Sequence, residues 1–284
     1  MTREWNYGDS KYETLVIDDL SFGYRITLNR PQVRNAINQT MVEELTNFMS
    51  GIEQDEQVRV LVIQGAGGHF CAGGDLGDML KAAQDFEQGN PDAFKALNLS
   101  YGRLLVQFAR LPCTTIALLE GTVMGGGLGF AAVADISLCS ASSKLAMPEV
   151  SLGLPPAQIA PFVAERIGLN QTRRLALTAR KLLAAEALTL GLVDQVAEDS
   201  EALGQLLQTE LHAIQTCSPK AVRATKKLLV NLSRLGEAKH AELEQQLLEA
   251  AEAFNFAVTR GDGPEGTSAF IEKRHPVWVT SHKH

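Results

Sequence analysis

The chain has 284 residues, and its 26 Lys and Arg against 33 Asp and Glu leave a net charge of −7. That balance speaks against a nucleic-acid-binding protein, because phosphate recognition needs clustered Lys and Arg. Apolar residues at 45% and charged residues at 21% give an ordinary globular profile, long enough to bury a core without disulfide or metal staples.

The opening segment MTREWNYGDSKYE is polar and lacks the apolar run of a signal peptide. Two β-branched runs follow, Leu15-Val16-Ile17 and Tyr24-Arg25-Ile26-Thr27-Leu28. The stretch from Asp18 to Gly23 between them reads as the turn of a hairpin. Met41, Leu45, Phe48 and Ile52, spaced 4, 3 and 4 apart, predict a helix over Gln39 to Glu53. A buried strand from Val58 to Ile63 runs into Gly65-Ala66-Gly67-Gly68. Lys81 to Asn90 is polar and poorly periodic, and reads as mobile. A helix over Asp92 to Leu111, a strand over Thr114 to Leu119, a Gly-rich turn with an apolar helix, and a strand over Ile136 to Cys139 complete an alternating α/β pattern.

After about Pro155 the pattern becomes helical. Helices are expected over Pro161 to Ile167, Gln171 to Ala179, Ala184 to Leu190, Ala202 to Thr216, Pro219 to Leu232 and Glu237 to Val258, with one short strand at Val193 to Ala197. The expected division is residues 1–198 as the α/β front and 199–284 as a helical module. The longest weakly charged stretch, Gly121 to Ala134, has 14 residues and is too short to cross a bilayer. Cysteines at 71, 113, 139 and 217 match no zinc or CxxC spacing and read as free buried thiols in a reducing compartment. With the polar N-terminus, this implies a cytoplasmic location. The six His show no paired ligand spacing, so no metal site is expected.

Three segments carry chemistry. Phe70-Cys71-Ala72-Gly73-Gly74-Asp75-Leu76 and Gly125-Gly126-Gly127-Leu128-Gly129 each follow a strand. Glycines between a strand and a helix expose free backbone N–H groups at a positive helix end, which can hold an anion or a developing oxyanion. Taken singly, either run reads first as a tight turn or a close helix–strand contact. The third segment, Met147-Pro148-Glu149-Val150-Ser151-Leu152-Gly153, places a Glu in an apolar run. Desolvation there would raise its pKa toward what a neutral-pH acid/base needs, whereas an isolated Glu is otherwise a strand-end surface residue.

In this order and at these spacings the segments resemble the crotonase superfamily, the enoyl-CoA hydratase/isomerase family. The resemblance runs from about Tyr12 to Trp278. It includes Asn29-Arg30-Pro31 with Asn35-Ala36, the two glycine turns with Gly121, Ala134-Asp135-Ile136, Pro148-Glu149-Val150 with Gly153-Leu154, and Gly266 with the run Ala269 to Arg274.

The resemblance implies a spiral of ββα units followed by a helical trimerisation module, assembled as a homotrimer or a dimer of trimers. It also implies an acyl-CoA thioester substrate. The N–H groups of Gly74 and Gly126 would polarise the thioester carbonyl, and Glu149 would be the acid/base. Ala72, Asp75 and Leu76 would line adenine and pantetheine. Arg34 is a candidate for the nucleotide end or a solvent-exposed residue, and Lys273 for a phosphate contact or a solvated helix charge. A few local cations suffice for CoA phosphates despite the net charge. Coenzyme A is then part of the substrate, with no separate cofactor, metal, membrane or nucleic-acid partner.

One departure stands out. Typical hydratases of the family carry a second glutamate two positions after the triple glycine, where this chain has Gly129. The loss of that carboxylate is expected to free volume beside the acyl chain and to reduce repulsion of an anionic acyl group. The segment Gly153 to Val163 also differs from the common version. Both features are similar to bacterial hydratases of 3-methylglutaconyl-CoA or isohexenylglutaconyl-CoA, enzymes of leucine and acyclic-terpene breakdown. The alternatives are a Δ3,Δ2-enoyl-CoA isomerase with Glu149 as its single base, a decarboxylase or thioesterase, and a non-catalytic acyl-CoA- or RNA-binding member. The acidic balance and the lack of an aromatic stacking pattern oppose the RNA reading.

Overall fold

The hairpin forms as expected: β1 (Leu15–Asp19) and β2 (Gly23–Leu28) pair antiparallel, Leu15 opposite Leu28. The computed structural model describes residues 12–233 and 235–279. The polar N-terminal segment discussed above lies, as far as residue 11, outside the described residues. Helix α1 (Gln39–Glu53) starts where Asn38 accepts a 3.0 Å hydrogen bond from the Met41 N–H, and it buries the predicted face. Next come β3 (Val60–Gly65) and α2 (Leu76–Glu87).

Helix α2 corrects the reading of 81–90 as mobile. Its amphipathic repeat begins upstream, and Met79, Ala82, Ala83 and Phe86 join the apolar cluster that contains Phe94. A window opening at Lys81 cuts that repeat in half, and only the residues after Glu87 form a turn.

The chain continues through α3 (Ala93–Arg110), β4 (Thr114–Leu119), β5 (Thr122–Met124), α4 (Gly126–Val133), β6 (Ile136–Ser140) and β7 (Lys144–Ala146). It then runs through α5 (Ala160–Ile167), α6 (Leu169–Thr178), β8 (Leu182–Leu183), α7 (Ala184–Thr189) and β9 (Gln195–Ala197). The last helices are α8 (Ser200–Thr216), α9 (Pro219–Leu232), α10 (His240–Arg260) and α11 (Gly263–Ile271). The single helix expected from Glu237 is a 3-10 turn over Glu237–Lys239 followed by α10. Strands β5, β7 and β8, of two or three residues each, are too short to leave a periodic signal and were not expected.

Six strands make one sheet in the order β1-β2-β3-β4-β6-β9, parallel from β2 onward; β5, β7 and β8 make a second. The central strands are covered on both faces. Leu61 and Ile63 join the cluster that includes α1 and α3, whereas Val60, Val62, Ile116 and Leu138 pack against Leu203, Leu207 and Leu211 of α8. Helix α9 is tied down by Lys226, 8% exposed, whose ammonium meets the Cys113 carbonyl and the Asp135 carboxylate. Asp135 also accepts from the Thr115 N–H, so its role is structural.

Cys71, Cys113 and Cys139 are buried free thiols, but Cys217 is exposed, because it ends α8 at the surface. Among the described residues no helix is long and apolar enough to cross a membrane, and no group of three metal-ligating side chains occurs.

Candidate active site

The motif Asn29-Arg30-Pro31 with Asn35-Ala36 is a strut for the first glycine turn. Asn35 is fully buried with φ +56, and its amide nitrogen donates to the carbonyls of Ala66 and His69 at 2.9 and 2.7 Å. Its carbonyl oxygen accepts from the Arg30 N–H. The Arg30 guanidinium reaches the Ala36 carbonyl and, at 2.7 Å, the Asp75 carboxylate. Asp75 meanwhile caps α2 by accepting from the Gly77 N–H.

Hydrogen bonds from the Ile37 N–H to the Gly73 carbonyl and from the Asp75 N–H to the Ile37 carbonyl bracket Gly74. Its own N–H has no partner among the described residues, and nothing lies within 4 Å of where its side chain would stand. Gly73, at φ +103, adopts a conformation that only glycine enters freely.

The second turn is built against the first. The Cys71 N–H donates to the Thr122 carbonyl, and the Met124 N–H returns to the Cys71 carbonyl, a parallel bridge between loop and β5. Gly125, at φ +51, donates to the Ala146 carbonyl of β7. Gly126 then opens α4 with an N–H that has no partner among the described residues. A Cβ placed on Gly125 would stand 3.5 Å from the Gly73 Cα and 3.1 Å from Glu149 Oε1. The two turns and the carboxylate thus meet at one point.

Glu149 gets there because β7 delivers the chain into a 3-10 turn over Glu149–Leu152, closed by Gly153 at φ +71. Its Oε2 is buried without a hydrogen-bond partner, and burial pushes the carboxyl up to about 7. Beside it, burial pushes the Cys71 thiol up to about 12, so it stays protonated and is packing rather than a nucleophile.

A cleft of about 1110 Å³ opens over this point. Gly74, Gly126 and Glu149 are in its wall, and Arg34, Ala72, Asp75 and Leu76 line it as well. Arg34 is exposed at the rim, and its carbonyl holds the Ala72 N–H. Asp75 belongs to the scaffold, since its carboxylate is taken by Arg30 and the Gly77 N–H.

One expectation is corrected. Gly129 does not line the cleft: it is buried, and a Cβ there would stand 2.9 Å from Ile159 Cγ2, 2.9 Å from Leu105 Cδ1 and 3.1 Å from the Tyr101 hydroxyl. The missing carboxylate has left no free volume, because these side chains fill it. Lys273, for which a phosphate contact and a solvated charge were the two readings, is exposed past the end of α11, at φ +54, and is not among the residues lining the cleft, whereas Thr267 and Phe270 of α11 are.

Tyr101, Asn98 and Gln158, which sequence reasoning passed over, do line the cleft. Gln158 is fixed by donating to the Asn98 side-chain oxygen and the Leu247 carbonyl.

Residues 24–281 match the model of the enoyl-CoA hydratase/isomerase family. The chain belongs to that family. Enoyl-CoA isomerase/hydratase fer4 of Mycosarcoma maydis is 30% identical over 275 residues, covering 92% of this chain and 94% of the relative. Among solved structures, Pseudomonas aeruginosa AtuE is 46% identical, with a TM-score of 0.75 over 94% of this chain and 100% of its own. An enoyl-CoA hydratase/isomerase from Marinobacter aquaeolei is 43% identical, with a TM-score of 0.74 over 94% of this chain and 99% of its own.

Proposed function

We propose that the protein is a hydro-lyase that adds water across the 2,3-double bond of an enoyl-CoA thioester. The observation that carries this reading is a buried carboxyl, poised near neutral pH, beside two N–H groups that have no partner among the described residues. Glu149 as carboxylate takes a proton from water while the water oxygen bonds to C3. The π electrons move toward the thioester oxygen, and that enolate is held by the Gly74 and Gly126 N–H groups. Collapse of the enolate takes the proton back from Glu149 to C2. One carboxyl serving both steps adds hydrogen and hydroxyl to the same face of the double bond.

The preferred acyl group is branched and carboxylated, of the 3-methylglutaconyl or isohexenylglutaconyl class. The motif resemblance supports this, as does the cleft beyond Glu149, where Leu97, Pro156, Ile159 and Phe254 give apolar walls for a branch. Asn98, in the same wall, supplies an amide for the carboxylate. Rates with crotonyl-CoA, 3-methylglutaconyl-CoA and isohexenylglutaconyl-CoA test the choice. A branched ester is expected to have the highest kcat/KM, and a preference for crotonyl-CoA contradicts it. The protein would act as a homotrimer or dimer of trimers.

The second reading is a Δ3,Δ2-enoyl-CoA isomerase, favoured by the same single base, since one carboxyl can move a proton between two carbons. A 3-hydroxyacyl product separates hydration from a shifted double bond.

A further inference from the structure

The first turn of α4 is built from poor material. Three of its four residues, Gly126, Gly127 and Gly129, are glycine, each costing about 1 kcal/mol of helix stability against alanine. Its N-cap residue, Gly125, has no side chain to cap it. Stabilising an enolate by a backbone N–H depends on that N–H being held in place beforehand, so such a turn needs an external anchor.

Tyr101 of α3 is that anchor. Its hydroxyl donates to the Gly126 carbonyl. A Cβ on Gly126 would stand 3.1 Å from the Tyr101 Cζ and 3.2 Å from its oxygen, so the ring tip rests on a glycine of the cleft wall. The ring is itself fixed edge-on against Phe130 of α4, at 5.9 Å and 81°, and Phe130 is held in turn by Phe108 and Phe70. Burial, with smaller contributions from Cys71 and Glu149, holds the phenol well above its ordinary pKa, so it remains a neutral donor. Position 129 admits it: even one methyl there would press on the hydroxyl, Leu105 and Ile159.

We infer that Tyr101 is a positioning residue of the enolate site, holding Gly126 through its carbonyl, and that Gly129 is the socket that lets the tyrosine lie there. This rests on the reading of the Gly74 and Gly126 N–H groups as the enolate site. It gives the missing side chain at 129 a purpose other than room for the acyl group.

The test compares wild type, Y101F, G129A and the double variant. Turnover of the best ester is measured together with the near-ultraviolet enolate band of bound acetoacetyl-CoA, which reads the N–H pair without turnover. Y101F keeps the ring and loses the donor. Its kcat is expected to fall about tenfold, the effect of one neutral hydrogen bond, with KM within about twofold and a smaller enolate fraction on the bound ester. G129A displaces the hydroxyl and shows the same loss. The double variant falls no further than the worse single variant, because both remove one interaction.

Wild-type kcat and enolate fraction in Y101F, a loss confined to KM or melting temperature, or additive costs in the double variant would overturn the inference. A wild-type protein that binds acetoacetyl-CoA as its enolate but hydrates no ester contradicts the hydratase reading alone. One that binds it with no enolate band contradicts both.

Discussion

Glu149→Gln lowers kcat for hydration by about 10³- to 10⁴-fold while KM stays within about threefold, since the amide keeps the shape and loses only the proton-transfer step. Steady-state rates and equilibrium binding of a CoA thioester check the two halves separately. Substantial hydratase activity in this variant sinks the assignment of Glu149.

The same variant is expected to melt higher than wild type at pH 8. Burial raises the folded-state pKa of Glu149 from 4.5 to about 7. Below 4.5 both folded and unfolded chains carry the proton, and the group contributes nothing to pH dependence. Between 4.5 and 7 the folded chain binds more protons than the unfolded one, so stability falls as pH rises. Above 7 the full penalty, roughly 3 kcal/mol, is present, and glutamine removes the charge that causes it. Thermal melts should therefore separate by several degrees at pH 8 and converge as pH falls toward 4.5. The protein holds an ionisable group where water would suit it better, which is the cost of a base poised at neutral pH.

Gly129→Glu is expected to destroy the site rather than add a second acid. The Cβ alone would come to 2.9 Å from both Ile159 and Leu105 and 3.1 Å from the Tyr101 hydroxyl. The carboxylate behind it would enter a packed interior with no cation to meet it. Overpacking costs roughly 1–3 kcal/mol, and an unpaired buried charge adds several more. Denaturant unfolding should show a loss of at least about 3 kcal/mol or no folded protein, and kcat should fall in whatever folds. A stable variant with raised hydratase activity would mean that position 129 is open to the cleft.

Much of the fold was legible because its signals are local. The hairpin of β1 and β2 and the buried face of α1 follow from spacing alone, as does α9, found at its predicted limits, Pro219–Leu232. Helix α2 was missed because its apolar positions begin before the polar window, and β5, β7 and β8 because two or three residues carry no period. Gly74, Gly126 and Glu149 could be proposed from motif order, but their meeting depends on the pairing of Cys71 with Val123 and of β5 with β7, which no local pattern states.

Tyr101 was invisible for a physical reason. On its own helix it is one aromatic at core spacing, and its role comes from a carbonyl 25 residues away. Gly129 shows the limit most plainly: the sequence reveals that a carboxylate is missing, but not what has moved into its place. The Arg30–Asp75 pair, 45 residues apart, likewise gives Asp75 a scaffold role in addition to its place in the cleft wall.

In the proposed reaction a carboxyl raised by burial drives hydration beside two backbone donors. The most direct test is the pH dependence of kcat/KM with the best branched enoyl-CoA, following formation of the 3-hydroxyacyl product. An acidic limb with its midpoint at about 7, lost with Glu149→Gln, is the expected result. A rate that stays level down to about pH 5, or a double bond that shifts with no water added, would contradict it.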